Sequence, residues 1–228
     1  MSYNDTKWPI RLAAVVAVLG LSVVAAAGAA AQSVSGRAYG AYVQTPVVSQ
    51  SQTPLAVLPY VGPGDGQMAE ASGDALSVAG TLSSSLLTSV TTGASAARKG
   101  GAQSIATVAD VSILDGLITA SRVLSIATAT QVGSTVVSDA YGSAFESLSV
   151  AGVSVGSTPA PNTRMNLPGV GYVVLNEQVR TASGITVNMI HVVLETVTGG
   201  GCTPLGCLPS VTTTVGEIVV GSATSRVN

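Results

Sequence analysis

The tightest constraint on the fold lies in the last quarter of the chain, where residues 172–180, 185–195 and 215–227 are runs rich in Val, Ile and Thr. Branching at Cβ restricts the rotamers of such residues and suits a pleated, half-buried surface better than a helix. Ser183-Gly184 stands between the first two runs as a turn signal, so the three read as a meander of consecutive antiparallel strands. A meander buries one face, and the preceding segments must supply the layer that covers it.

Composition decides what that layer is. Charged residues are 9% of the 228, hydrophobic residues 46% and aromatics 4%, so the apolar content is mainly Ala and Val. The Glu, Lys, Gln and Arg that helices need on their solvated faces are scarce. Low charge with abundant Val and Leu also departs from the signature of disorder. The expected fold is all-β: a mainly antiparallel β-sandwich or curved-sheet domain over residues 32–228. A β-solenoid is the alternative, because small-residue alternation also suits stacked coils. The net charge is −2 and basic residues are isolated apart from Arg98-Lys99, so no stripe follows a phosphate backbone and no nucleic-acid partner is expected.

Residues 1–31 read as a secretory signal peptide. Lys7 and Arg11 form a positive start, residues 12–24 an uncharged apolar run, and Ala29-Ala30-Ala31 an A-x-A cleavage site before Gln32. An uncleaved anchor is the competing reading, but Ala and Gly fill the second half of the run and small residues end it. The mature chain is expected outside the cytoplasm, secreted or held at the cell surface, with no transmembrane segment after cleavage.

Along that chain, residues 34–44 read as a first strand punctuated by Gly36 and Gly40. Residues 45–68, with Pro46, Pro54, Pro59 and Pro63, read as extended and irregular, and 76–82 as a strand partnered by 86–92. The basic segment 95–101 reads as a solvated loop. The strongest hairpin signal is Asp115-Gly116, a type I′ pair flanked by strand-like runs. Counting outward sets Leu114 opposite Leu117 and Ala109 opposite Arg122. It assigns Ile105, Ala109, Val111 and Ile113, with Ile118, Ala120, Leu124 and Ile126, to the core face. Asp110 and Ser121 fall on the wetter face, and Arg122 lands on the apolar one, where it snorkels at an edge or meets an acid from elsewhere. A tight hairpin is expected around Ala151-Gly152, and residues 136–145 admit a short helix.

Groups that carry chemistry are few. Cys202 and Cys207 flank Thr-Pro-Leu-Gly, and in an exported chain they are expected to form a local disulfide at the tip between the last two strands. Closing so short a loop stabilises by roughly 2 kcal/mol in the entropic picture. C-x4-C is the wrong spacing for a thioredoxin-type redox pair, and no second ligand pair accompanies it. His191, the single histidine, sits among Met189, Ile190, Val192 and Val193 and reads as a packed or edge residue rather than a catalytic base or zinc ligand. Glu177 and Glu195 fall on adjacent strands, and two acids are the equipment of glycoside hydrolysis, but the aromatics that line sugar sites are nearly absent. Asp65, Glu70 and Asp74 match no EF-hand spacing. No catalytic residue, cofactor or metal site is assigned.

The segments SGRAYGAYV, PAPNTRMNLPGVGYVVLNEQV, TVNMIHVVL and GEIVVGSATSRV resemble the choice-of-anchor P family, secreted bacterial proteins, many of them from actinobacteria. The resemblance implies export and a cell-surface or extracellular role, and it carries over no catalytic residue. Leu167-Pro-Gly-Val-Gly is internal and lacks the Thr of an LPxTG-type sorting signal, so covalent wall attachment by that route is not expected. The function expected is that of a structural or interaction protein without catalytic activity; a carbohydrate-active or other hydrolytic module using Glu177 or Glu195 is the alternative. The partner classes are other cell-surface proteins, polysaccharide, or a second copy joined through strand edges. Residues 76–90, which lack Pro, Lys and Arg, or the terminal strand 215–227 are expected at an edge able to pair with another chain.

Overall fold

The computed structural model describes residues 33–62, 64–96, 99–200, 202–203, 206–207 and 209–228. The expected signal segment and Arg98 lie outside the described residues. In chain order the strands begin with β1 (Val34–Gln44), β2 (Ser49–Val61), β3 (Gly64–Gly73), β4 (Leu76–Val78) and β5 (Leu82–Ser84). Three long strands follow, β6 (Leu86–Ala96), β7 (Lys99–Ile113) and β8 (Ile118–Val132). Next come the short β9 (Thr135–Asp139), β10 (Ala144–Glu146), β11 (Ser149–Val150) and β12 (Val153–Ser154). Then β13 (Thr163–Leu167), β14 (Gly171–Thr181) and β15 (Gly184–Gly199) lead through β16 (Cys202–Thr203) and β17 (Gly206–Cys207) to β18 (Ser210–Val227). Among the described residues there is no helix, hence none long and apolar enough to cross a membrane.

A six-stranded sheet runs in the order β13-β14-β15-β18-β1-β2. A ten-stranded one follows β12-β11-β8-β7-β5-β4, with β6 on β7, β3 on β6, and β9 and β10 on β8. The pairings are antiparallel, and the sheets pack face to face, β18 and β15 over β8 and β1 over β6 and β7. This is the all-β, antiparallel sandwich expected from the composition, not the stacked coils of the alternative.

The C-terminal meander forms as read, but its last strand is no edge: β18 lies between β15 and β1, because the first strand returns to close its other side. Residues 76–90 divide into the β4–β5 hairpin and the start of β6, itself held between β3 and β7, which leaves only the three-residue β4 at a sheet end. Residues 45–68 are more ordered than their prolines imply. Pro54 and Pro59 sit in β2, at the end of the six-stranded sheet, where a missing N–H need cost no ladder bond. Residues 135–139 form strand β9 rather than a helix, and β6 and β7 extend to Ala96 and Lys99 where a loop was expected. The Ala151-Gly152 turn forms, with both φ positive at 48° and 78°.

The core has two textures. In one part Phe145, Leu87, Ile113, Ile118, Met189 and Ile218 are fully buried. Elsewhere small residues let the sheets approach closely, and buried hydroxyls donate across the gap. Ser104 Oγ reaches Thr224 O at 2.7 Å, Ser225 Oγ reaches Ala127 O at 2.8 Å and Ser125 Oγ reaches Val187 O at 3.1 Å. Each hydroxyl is thereby satisfied without water, so Ser serves here as a core residue.

A crease crosses both sheets. The β7–β8 hairpin has the expected register, Ile113↔Ile118, Ala109↔Arg122 and Ile105↔Ile126. Its facing is as expected only beside the turn. Beyond Asp110, which takes a left-handed φ of 50°, the alternation inverts: Ala106, Val108, Val123 and Ala127 are buried while Ile105, Leu124 and Ile126 turn outward. Arg122 therefore faces solvent, and its partner is the acid Glu146 on β10. The six-stranded sheet inverts in the same way along the row Gly40, Gly221, Met189 and Asn176, with the pairing on either side of the row unslipped. Asn176 and Gly221 take φ of 49° and 69°. The creases face each other, since a Cβ on Gly221 would lie 2.8 Å from Val123 Cγ1.

Candidate functional site

Strict alternation puts His191 and Asn188, three residues apart on β15, on opposite faces. The inversion at Met189 puts both on the outer face of the six-stranded sheet. Glu177 on β14 is the register partner of Asn188, Ser222 on β18 is its partner on the other side, and Tyr39 on β1 is the partner of Ser222. Four strands thus deliver one polar row, and His191 and Glu217 join it from across the crease.

The row is a continuous hydrogen-bonded chain. His191 Nδ1 lies 3.0 Å from Glu177 Oε2, and Nε2 lies 3.3 Å from Glu217 Oε2. Asn188 Nδ2 donates to Glu177 Oε2 at 2.7 Å, and Asn188 Oδ1 accepts from Ser222 Oγ at 2.7 Å. Tyr39, the register partner of Ser222, stands beside it at the end of that chain. Donors converge on Glu177 from both sides, holding its carboxyl below the usual range, with the His191 hydrogen bond the largest cause. The same bond raises His191 against the opposing effect of burial, and burial raises the Tyr39 phenol. With a carboxylate at each ring nitrogen, the imidazolium is the favoured form.

Beside the row, over β15, β18, β1 and β2, opens a groove of about 460 Å³. Tyr39, Asn188 and Ser222 reach it from the network; Arg37, Arg226 and Tyr60 line the rest. Arg37 donates to Gln52 Oε1, and Thr186 and Thr224 share a hydrogen bond of 3.0 Å on its floor. Hydroxyls, amides and two guanidinium groups give this groove directional polar contacts, while Val57, Leu58 and Pro59 give it an apolar side along β2.

Of the residues singled out from sequence, Glu177 and His191 come together and Glu195 does not. Glu195 pairs with Thr214, seven positions along β15 from Asn188, which separates the two acids by about 20 Å along the sheet. Acid pairs of glycosidases stand within about 10 Å. Ser222 binds Asn188 rather than the histidine, so among the described residues no hydroxyl is paired with His191 as a nucleophile would be with its base. The backbones of Cys202 and Cys207 are register partners, while their side chains, and with them the expected disulfide, lie outside the described residues, as does the side chain of Asp65. Among the described residues no group of three or more His, Cys, Asp or Glu is arranged to hold a metal ion.

Sequence reasoning missed Tyr39, Asn188, Ser222, Glu217, Arg37 and Arg226. Hairpin counting from Thr181↔Gly184 reaches the Glu177↔Asn188 pair, but nothing local announces the crease or the long-range β1–β18 pairing. Comparison with known proteins finds no matching family model, no matching curated protein and no matching solved structure.

Proposed function

We propose that this chain is an exported bacterial protein that works by binding at the cell surface rather than by catalysis, with the outer face of its six-stranded sheet as the working surface. The observation that carries the reading is the commitment of His191 at both ring nitrogens, beside a groove lined by hydroxyls, amides and two arginines. A histidine held between two carboxylates is occupied as a crosslink of three strands, and a carboxyl as stabilised as Glu177 is a poor proton donor near neutral pH. The signal-like residues 1–31 and the resemblance to choice-of-anchor P proteins support export. The hydrolytic alternative keeps one supporting observation, the Glu177–His191 pair itself.

The test is fractionation of producing cells into medium, wall and membrane. A Thr186→Glu variant, which intrudes on the groove, is expected to shift protein from the surface to the medium, whereas Thr107→Glu on the outer side of the ten-stranded sheet leaves the distribution unchanged. Equal behaviour of the two variants removes the six-stranded face from the account. Loss of a measurable hydrolysis on Glu177→Ala establishes the enzyme in its place.

A further inference from the structure

We propose that the groove over β1, β2, β15 and β18 binds an acidic polysaccharide, a sugar chain bearing carboxylates, with Arg37 and Arg226 as its anion-recognising groups and Tyr60 as a stacking surface; the inference deepens the binding reading and rests on it. The first argument is uncompensated charge. Arg122 has Glu146, Arg164 stacks on the Tyr172 ring at 3.6 Å, and Arg180 is hydrogen-bonded to Ser138 and Gln178. Among the described residues Arg122 alone of the Lys and Arg side chains is ion-paired with a carboxylate; Arg37, which donates to Gln52 Oε1, and Arg226 are the two arginines exposed together on one groove of a protein whose net charge is negative. They are near neighbours: Arg37 pairs across the ladder with Thr224, two residues from Arg226 on the same face of β18. Two guanidinium forks at that spacing match repeating carboxylates better than one isolated anion.

The second argument is the lining between them. Thr186, Thr224, Asn188 and Gln52 supply donors and acceptors at the density a polyhydroxylated ligand requires. Tyr60 is 68% exposed at the groove's edge, presenting a ring with no packing role to account for it. Tyr39, Tyr42, Tyr60 and Tyr172 all belong to strands of this sheet, so the few aromatics of the chain are concentrated there. Val57, Leu58 and Pro59 on β2 add an apolar wall against which the C–H faces of sugar rings can lie. Direction fits as well: the carboxylates Glu177 and Glu217 lie toward the crease, paired with His191, while the arginines lie at the far end.

The experiment uses the full-length chain in affinity electrophoresis through gels containing polygalacturonate, neutral dextran or dextran sulfate. Retardation by polygalacturonate and not by dextran is expected, with apparent affinity reduced at least tenfold in the Arg37→Gln/Arg226→Gln double variant and several-fold in Tyr60→Ser. Arg122→Gln on the other sheet changes nothing. Circular dichroism and unchanged thermal midpoints verify that the variants fold. The proposal is overturned if polygalacturonate gives no retardation, if the double variant retards like wild type, or if dextran sulfate binds all variants alike. In any of those outcomes, an intact effect of Thr186→Glu on fractionation leaves the surface-binding account standing with a different ligand, a protein partner included; loss of that effect too ends both.

Discussion

The outer faces of the two sheets are built from the same sparse alphabet and come out chemically opposite. On the ten-stranded sheet the strands beside the crease present Thr88, Val90, Ile105, Thr107, Leu124 and Ile126, small or aliphatic, and the charges are scattered: Arg122 paired with Glu146, an Asp110 bound by Ser85 at 2.6 Å, and Glu70, Lys99 and Asp139 exposed on β3, β7 and β9. On the six-stranded sheet a polar row runs from Tyr39 to Glu217 through Ser222, Asn188, Glu177 and His191, and two arginines without carboxylate partners stand beside it. Both sheets are creased, so the crease alone does not make a site. What differs is what stands on either side: on one sheet the inversion exposes aliphatic residues, and on the other it brings a histidine to the side of two glutamates.

The most damaging way to break that contrast is at the crease itself. Gly221 holds φ of 69° with Val123 against its back, so Gly221→Val combines a left-handed β-branched residue with a clash. A loss of about 3 kcal/mol in denaturant unfolding is expected. Asp110→Gly, at the matching row of the ten-stranded sheet, relieves backbone strain while removing the Ser85 hydrogen bond, so a net change under about 1 kcal/mol is expected. Equal effects at the two positions would deny that the six-stranded crease is the more constrained.

A second probe is pH. His191 is raised in the folded protein, so its contribution is fully present below its unfolded value of 6.5 and is lost as pH rises through the folded one. Glu177 is lowered, so its contribution is present above 4.5 and is lost as pH falls through the folded value. Both hold between pH 4.5 and 6.5. Unfolding free energies measured from pH 6 to 9 are expected to decline more steeply in wild type than in His191→Gln, with Glu217 as the second acid facing the ring. A parallel decline would mean that His191 does not bind its proton more tightly when folded.

How much of this was legible beforehand follows from the range of the forces involved. Local signals worked: the β-branched runs became β14, β15 and β18, and Asp115-Gly116 set the β7–β8 register, because turn chemistry and pairing act over a few residues. The faces failed beyond Asp110, and with them the core assignment of Ile105, Ala109, Leu124 and Ile126, since one left-handed residue reverses every position after it. The sequence hides the role of His191 for the same reason, its apolar neighbours at 189, 190, 192 and 193 being buried while it points out between two acids. The closure of β1 on β18 joins the two ends of the described chain, a distance no motif spans.

The smallest effect is expected on the plain face. Arg122 and Glu146 are about half exposed, and Arg122→Ala is expected to cost no more than about 0.5 kcal/mol in the same unfolding experiment. A cost near 2 kcal/mol would show that this face too is organised around a charged pair.

The most direct measurement of the central claim is hydroxyl-radical footprinting of the full-length protein, free and bound to envelopes of the producing cells. Tyrosine and histidine report where the surface is covered. The account predicts that Tyr60, Tyr42 and His191 lose reactivity on binding while Tyr141, 90% exposed and outside the six-stranded sheet, keeps it. Protection at Tyr141 with Tyr60 and His191 unchanged would place the working surface elsewhere and contradict the account.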